Sequence, residues 1–157
     1  MDALNSGDTA WIMTATALVL MMTPALAFFY GGMVRKKNAI STLGLSVVTM
    51  SLIGLQWVLF GYTLSFGSDI GNLIGGLDYL GLRGVGAEPL PGMTIPAILF
   101  AAYQMTFAII TPALITGGFV DRIKFSAYIV FVLLWATIVY NPLAHWVWGG
   151  GFLADMG

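Results

Sequence analysis

The stretch TAWIMTATALVLMMTPALAFFYGGMV, residues 9–34, contains no Asp, Glu, Lys or Arg. A hydrocarbon core of ~30 Å needs about 20 apolar residues in a helix, so this segment alone can cross a bilayer. Asn38–Ser68, Pro89–Val120 and Phe125–Ala154 are equally free of charge. About a quarter of an ordinary soluble domain is charged; here the share is 8%, with 59% hydrophobic residues and a mean hydropathy of +0.91. The charge map predicts an all-α, polytopic transmembrane helix bundle over residues 1–157, one domain or part of one. Its four spans are expected at about 11–34, 40–66, 94–120 and 125–148, with an external loop over 67–92.

The charges also predict an orientation. Five of the six basic residues, Arg35, Lys36, Lys37, Arg122 and Lys124, fall in two short connections, Arg35–Lys37 and Asp121–Lys124. Short loops rich in Lys and Arg stay cytoplasmic, and both connections follow odd-numbered spans. The opposite side collects Asp2, Asp8, Asp69, Asp78, Glu88 and Asp155, with Arg83 its one basic residue. The expectation is N-terminus out and C-terminus out. Pro24-Ala25-Leu26-Ala27 looks like a cleavage site, but the preceding segment lacks Lys and Arg and the apolar run is too long for a signal peptide. No basic patch points to nucleic acid. The absence of cysteine removes disulfides, thiolate metal sites and Cys nucleophiles together.

Within the spans, Pro24 predicts a kink or local loosening. Ala27 with Gly31, and Gly54 with Gly61, predict close-packing faces. The loop, rich in glycine, is expected to be an ordered cap with a short helix or turn near Leu77–Leu80. Buried polar residues are the functional suspects, because lipid makes them costly. They are Gln56, Gln104, Asn141 and His145, besides hydroxyls. No span carries a formal charge, which argues against a carboxylate proton relay or a voltage sensor. Phe100, Tyr103 and Phe107 share a helix face through spacings of three and four, with Gln104 flanking them. Such a stripe either packs against lipid or other helices, or forms an aromatic cage whose ring faces attract a desolvated cation.

Four segments resemble the ammonium transporter (Amt/Mep/Rh) family. Phe28-Phe29-Tyr30-Gly31-Gly32-Met33-Val34-Arg35-Lys36-Lys37-Asn38 is similar to the end of its first helix, and Trp57 through Gly67 to the end of its second. Gln104-Met105-Thr106-Phe107-Ala108 and Asp121-Arg122-Ile123-Lys124-Phe125-Ser126 look like its third helix and the following turn. Tyr140-Asn141-Pro142-Leu143-Ala144-His145-Trp146-Val147-Trp148-Gly149-Gly150-Gly151 resembles the end of its fourth.

The resemblance implies a homotrimer whose subunits have about eleven helices, each with its own narrow pore, of which this chain matches the first four. It implies that Phe107 borders an outer cation site and forms one ring of a gate, and that Trp148 closes that site by cation–π contact. Tyr103, where many members carry Phe, would line the vestibule. Tyr30 would border the cytoplasmic exit, or simply pack. His145 is not one of the family's paired pore histidines and reads as structural, hydrogen-bonded near Asn141 or the loops. Ammonium would be recruited outside and would cross as ammonia, with its proton relayed by histidines beyond this chain. No cofactor or metal is implied, since a lone His supplies no metal set. A PII-type regulatory protein on the cytoplasmic face is the implied soluble partner.

Three other readings stay open at this stage. One is a non-conducting four-helix membrane subunit that assembles with or regulates full-length transporters. Another is a cation channel with an aromatic site. The third is an intramembrane enzyme using His145 as base, although the nearest carboxylate, Asp155, lies ten residues on.

Overall fold

The computed structural model describes residues 4–120 and 122–156, with the side chain of Asp155 excepted. Asp2 and Asp121, both used in the charge map above, lie outside the described residues. Four helices are long and apolar enough to cross a membrane: α1 Ser6–Met33, α2 Lys36–Phe66, α3 Ala97–Gly118 and α4 Phe125–Ala154. The last of these bends at 149–151 before a final turn, Phe152–Asp155. The chain is a helical membrane bundle.

Helix α1 begins before the predicted Trp11 because Asn5 caps it. The Asn5 side chain accepts from the backbone N–H of Gly7 at 2.8 Å and of Asp8 at 3.1 Å. Asp8 then sits in the first turn, where the helix dipole favours an anion. The helix runs through Pro24 without a break, since ending it in an apolar medium would strand more backbone groups than the one the proline lacks. Ala27 is buried, and a Cβ on Gly31 would rest 3.5 Å from Leu43, so this face packs on α2 as expected.

Hydroxyls within the helices are mostly spent on their own backbone. Thr14, Thr16, Thr49, Thr111 and Thr137 each donate to the carbonyl four residues earlier, at 2.6–2.9 Å. This satisfies the hydroxyl where no water is available.

Both α2 and α4 contain a π turn, Trp57–Gly61 and Ala136–Tyr140 respectively. A π turn inserts one residue and rotates everything after it. The predicted Gly54–Gly61 face is therefore corrected. Gly54 does meet α3, with Met105 and Ile109 3.9 Å from its Cβ position. Gly61 instead makes room for Gln56 of its own helix, whose side-chain oxygen would lie 2.6 Å from a Cβ there.

The core lies between α2, α3 and α4. Trp57 is buried at its centre, edge-on to Tyr62, Phe66 and Tyr140 at centroid distances of 5.9, 6.2 and 6.4 Å. Tyr128, Val132 and Ala136 of α4 complete it. The outward faces carry exposed Leu18, Met21, Phe28, Leu55, Val130 and Ile138, a surface suited to lipid or further helices rather than water.

The segment between α2 and α3 is an ordered cap with more structure than the sequence suggested. Strand β1, Asp69–Ile70, pairs antiparallel with β2, Ile74–Gly75, across a turn with positive φ at Gly71 (66°) and Asn72 (61°). Both residue types tolerate that conformation. The expected short helix forms at Leu80–Leu82, slightly later than predicted. The cap is tied to α2: Thr63 Oγ1 donates to the Gly76 carbonyl at 2.6 Å and accepts from the Tyr79 N–H at 3.0 Å.

Two ends of the bundle are thereby distinguished. The start of α1 joins that of α3, Asn5 N–H donating to the Thr94 carbonyl at 2.8 Å. This end also holds the hairpin and the end of α4. Arg35, Lys36, Lys37, Arg122 and Lys124 follow the opposite ends of α1 and α3.

Candidate cation site

Tyr103 and Phe107 stand one turn apart on α3, and their rings meet edge to face at 5.0 Å and 85°. Both are half-buried. Phe100, the third member of the predicted stripe, turns its ring instead onto Phe66 of α2, at 5.0 Å and 79°. The stripe thus divides, Phe100 joining the core edge while Tyr103 and Phe107 form a separate pair. A cavity of about 400 Å³ opens beside Tyr103, lined by Asp8, Trp11, Thr94 and Phe100 among others. Its lining combines one carboxylate with the aromatic residues Trp11, Phe100 and Tyr103.

Trp148 closes the α-helical part of α4 at the hairpin end and is 59% exposed. It forms no ring pair with Tyr103 or Phe107 among the described residues. The sequence-predicted site residues are therefore brought together only in part. The reason is where α4 ends: its last turns are fastened to α2 and the hairpin, not to α3.

That fastening centres on His145, which is fully buried. Nδ1 lies 3.0 Å from the carbonyl oxygen of Ser65, which only accepts, so the ring donates there. Nε2 lies 2.9 Å from Asp69 Oδ1. The histidine is structural and bonded to the loop, as read from the sequence; its partners are Ser65 and Asp69, not Asn141. Nearby, the Trp146 indole N–H donates to the Leu73 carbonyl at 2.7 Å, and its ring packs on Phe152 at 5.2 Å.

Two carboxylates at this end are held below the ordinary Asp range. For Asp69 the His145 hydrogen bond is the main cause, followed by the Asn72 N–H at 3.0 Å. For Asp78 it is the Ser68 hydroxyl at 2.5 Å, then the Ser68 N–H at 2.8 Å. Sequence reasoning placed Asp69 and Asp78 on the outer side without seeing these roles. The available signal was a histidine near the end of one span facing the first carboxylate after another.

Tyr30 lies at the basic end. Its hydroxyl donates to the Leu114 carbonyl at 3.0 Å, and its ring fills the space a Gly117 side chain would take, 2.8 Å from a Cβ there. It is packed against α3 and also borders a cavity of about 400 Å³ with Met33, Arg35 and Val120.

A protein-family model described as "Ammonium Transporter Family" matches residues 10–157. The ammonium transporter of Bacillus subtilis is 48% identical over 155 residues, covering 98% of this chain and 38% of that protein. Ammonium transporter Amt1 of Archaeoglobus fulgidus is 46% identical over 154 residues, covering 98% and 37%. Among solved structures, Candida albicans Mep2 superposes with a TM-score of 0.89 at 35% identity, over 98% of this chain and 34% of that one. The chain spans little more than a third of the length of these relatives.

Proposed function

The chain belongs to the ammonium transporter family, and from this we propose that it forms the part of an ammonium/ammonia transport subunit that gathers the cation at its outer face. In this reading the subunit sits in the cell membrane as a multi-pass protein, basic connections inward and both ends of this chain outward. The charge asymmetry supports that orientation.

Ammonium arrives at ring faces of Tyr103, Phe107 and Trp148. The Tyr103–Phe107 pair at 5.0 Å is the observation that carries the proposal: two rings held at right angles on a span with no charge to compete for a cation. Ring faces attract a desolvated cation by roughly 0.5–2 kcal/mol each. Ammonium also brings directional N–H donors, which potassium of similar size lacks, so acceptors beside the rings discriminate between them. Past Phe107, α3 offers Ile110 and Leu114 on the same side, a wall in which an intact ion is expensive, by about 2.5–3.5 kcal/mol on insertion scales. Phe107 then acts as the gate, past which ammonium gives its proton to histidines on helices outside these four, and neutral ammonia continues through a narrow hydrophobic pore that those helices complete. Tyr30 borders its cytoplasmic exit. The assembly is a homotrimer, and a PII-type protein docks on the basic end.

The test is uptake of radiolabelled methylammonium by the full-length protein in proteoliposomes, with potassium as competitor. The reading expects saturable uptake that excess potassium leaves nearly unchanged. It also expects half-saturation to rise roughly 5- to 30-fold in Trp148→Leu, the equivalent of about 1–2 kcal/mol of lost ring attraction. Unchanged half-saturation in both Trp148→Leu and Phe107→Ala refutes the site.

A further inference from the structure

Trp148 differs from its neighbour Trp146 in one respect. Trp146 is fixed by its own side chain, through the Leu73 carbonyl and the Phe152 ring. Trp148 has no ring pair or side-chain hydrogen bond among the described residues, and most of it is exposed. Its indole is therefore aimed by its backbone, and the question becomes what holds that backbone.

The answer lies three residues earlier and one residue later. The His145 carbonyl accepts from the N–H of Gly149 at 2.9 Å and of Gly151 at 3.0 Å, closing the turn around Trp148. The His145 ring anchors that same turn to the end of α2 and to β1, through Ser65 and Asp69. Gly149 completes the clamp by absence. A Cβ there would strike the Ser65 carbonyl and lie 2.6 Å from His145 Nδ1. Both residues flanking the Trp148 turn thus press on one backbone carbonyl of another helix.

We propose that His145 is a positioning residue for Trp148, fixing the turn that aims the indole over the outer cation site. The consequence for transport rests on the reading of that site given above; the geometric claim does not. A histidine suits the task because its two ring nitrogens reach Ser65 and Asp69, on different elements, at once and in a rigid plane. Glutamine at the same place reaches one or the other.

The experiment uses the full-length protein. The chain has no cysteine, so Trp148→Cys gives this segment a single site for a nitroxide label. We expect an immobilised spectrum that becomes mobile when His145→Gln is added. In uptake assays on protein that retains Trp148, His145→Gln should raise half-saturation several-fold while the maximal rate per folded protein stays within twofold. In a Trp148→Leu background it should add nothing further. Asp69→Asn, which keeps a hydrogen-bonding partner for Nε2, should stay near wild type. Asp69→Ala should move in the direction of His145→Gln, and it serves as the test if His145→Gln does not fold. A label spectrum unchanged by both His145→Gln and Asp69→Ala overturns the proposal, as do half-saturation effects that multiply in the double variant. A label that loosens while Trp148→Leu leaves half-saturation unchanged keeps His145 as the anchor and rejects the cation-site reading.

Discussion

The indole N–H of Trp57 donates to the carbonyl oxygen of Ala101 across 3.0 Å, joining the π turn of α2 to α3 two residues before Tyr103. Both residues are buried, at 1% exposure. Trp57→Phe keeps an aromatic ring but removes the donor and leaves a gap. We expect it to lower stability by about 1–2 kcal/mol, interhelical hydrogen bonds in membranes averaging near ~0.6 kcal/mol and the lost volume adding the rest. Unfolding in mixed micelles with rising denaturing detergent measures this.

Gly149 and Gly86 make a controlled pair. A methyl at Gly149 collides with the Ser65 backbone and the His145 ring, whereas one at Gly86 meets nothing within 4 Å. Gly149→Ala should cost about 1–3 kcal/mol or more, as overpacking does. Gly86→Ala should fall within about 0.5 kcal/mol of wild type, as surface changes do. The same unfolding assay compares them, and equal effects would refute the clamp.

Tyr103 and Phe107 separate ring from hydroxyl. No hydrogen bond engages the Tyr103 hydroxyl among the described residues, and the ring is what meets Phe107. Tyr103→Phe should leave methylammonium half-saturation within twofold. Tyr103→Ala should raise it by roughly 3- to 10-fold, on loss of one cation–ring contact and of the support for Phe107.

The outer cap should loosen in acid. Asp69 and Asp78 both titrate below the ordinary Asp value of 3.8 because the folded state donates hydrogen bonds to their ionised forms. A depressed folded pKa means stability that is present above the unfolded value and lost as pH falls through the folded one. Amide exchange at Gly76 and Tyr79, corrected for intrinsic rate, should therefore be protected from neutrality down to about pH 4 and accelerate below it. Asp78→Ala, which removes the acceptor, should reproduce the loosening at neutral pH. The Thr49–Tyr128 contact inside the bundle involves no carboxylate, so the helices themselves should keep their protection.

The four helices were legible from vacancies in the charge pattern, because a bilayer penalises charge far more strongly than any helix propensity rewards a residue. What stayed hidden depended on single residues. The capped start at Asn5 was visible in principle as Asn-Ser-Gly-Asp, yet the hydropathy edge at Trp11 overshadowed it. The hairpin of two-residue strands is too short for alternation to register, although Gly71-Asn72 between Ile70 and Leu73 carried a turn signal. Neither π turn has a sequence signature, so the face assigned to Gly61 went astray. That Tyr103 and Phe107 share a helix face followed from their spacing; their place at a cation site came from the resemblance alone. Trp148 did not join them, because nothing in spacing tells that the end of α4 is fastened to α2. His145 read correctly as structural, but its two partners lie 76 and 80 residues away in sequence.

The π turns of α2 and α4 have a consequence for anyone editing this chain. Each holds one residue more than an α-helical ladder needs, so each sets the rotational phase of everything that follows it. Removing a single residue from 57–61 would let α2 close into regular helix and swing Ser65 and Asp69 by about 100°, away from His145. The same deletion in 136–140 would swing His145 and Trp148 off the opposite side of the contact. Either deletion alone is destructive even though Ser65, Asp69, His145 and Trp148 all survive it. Length between the core and the cap is therefore under as tight a constraint as composition.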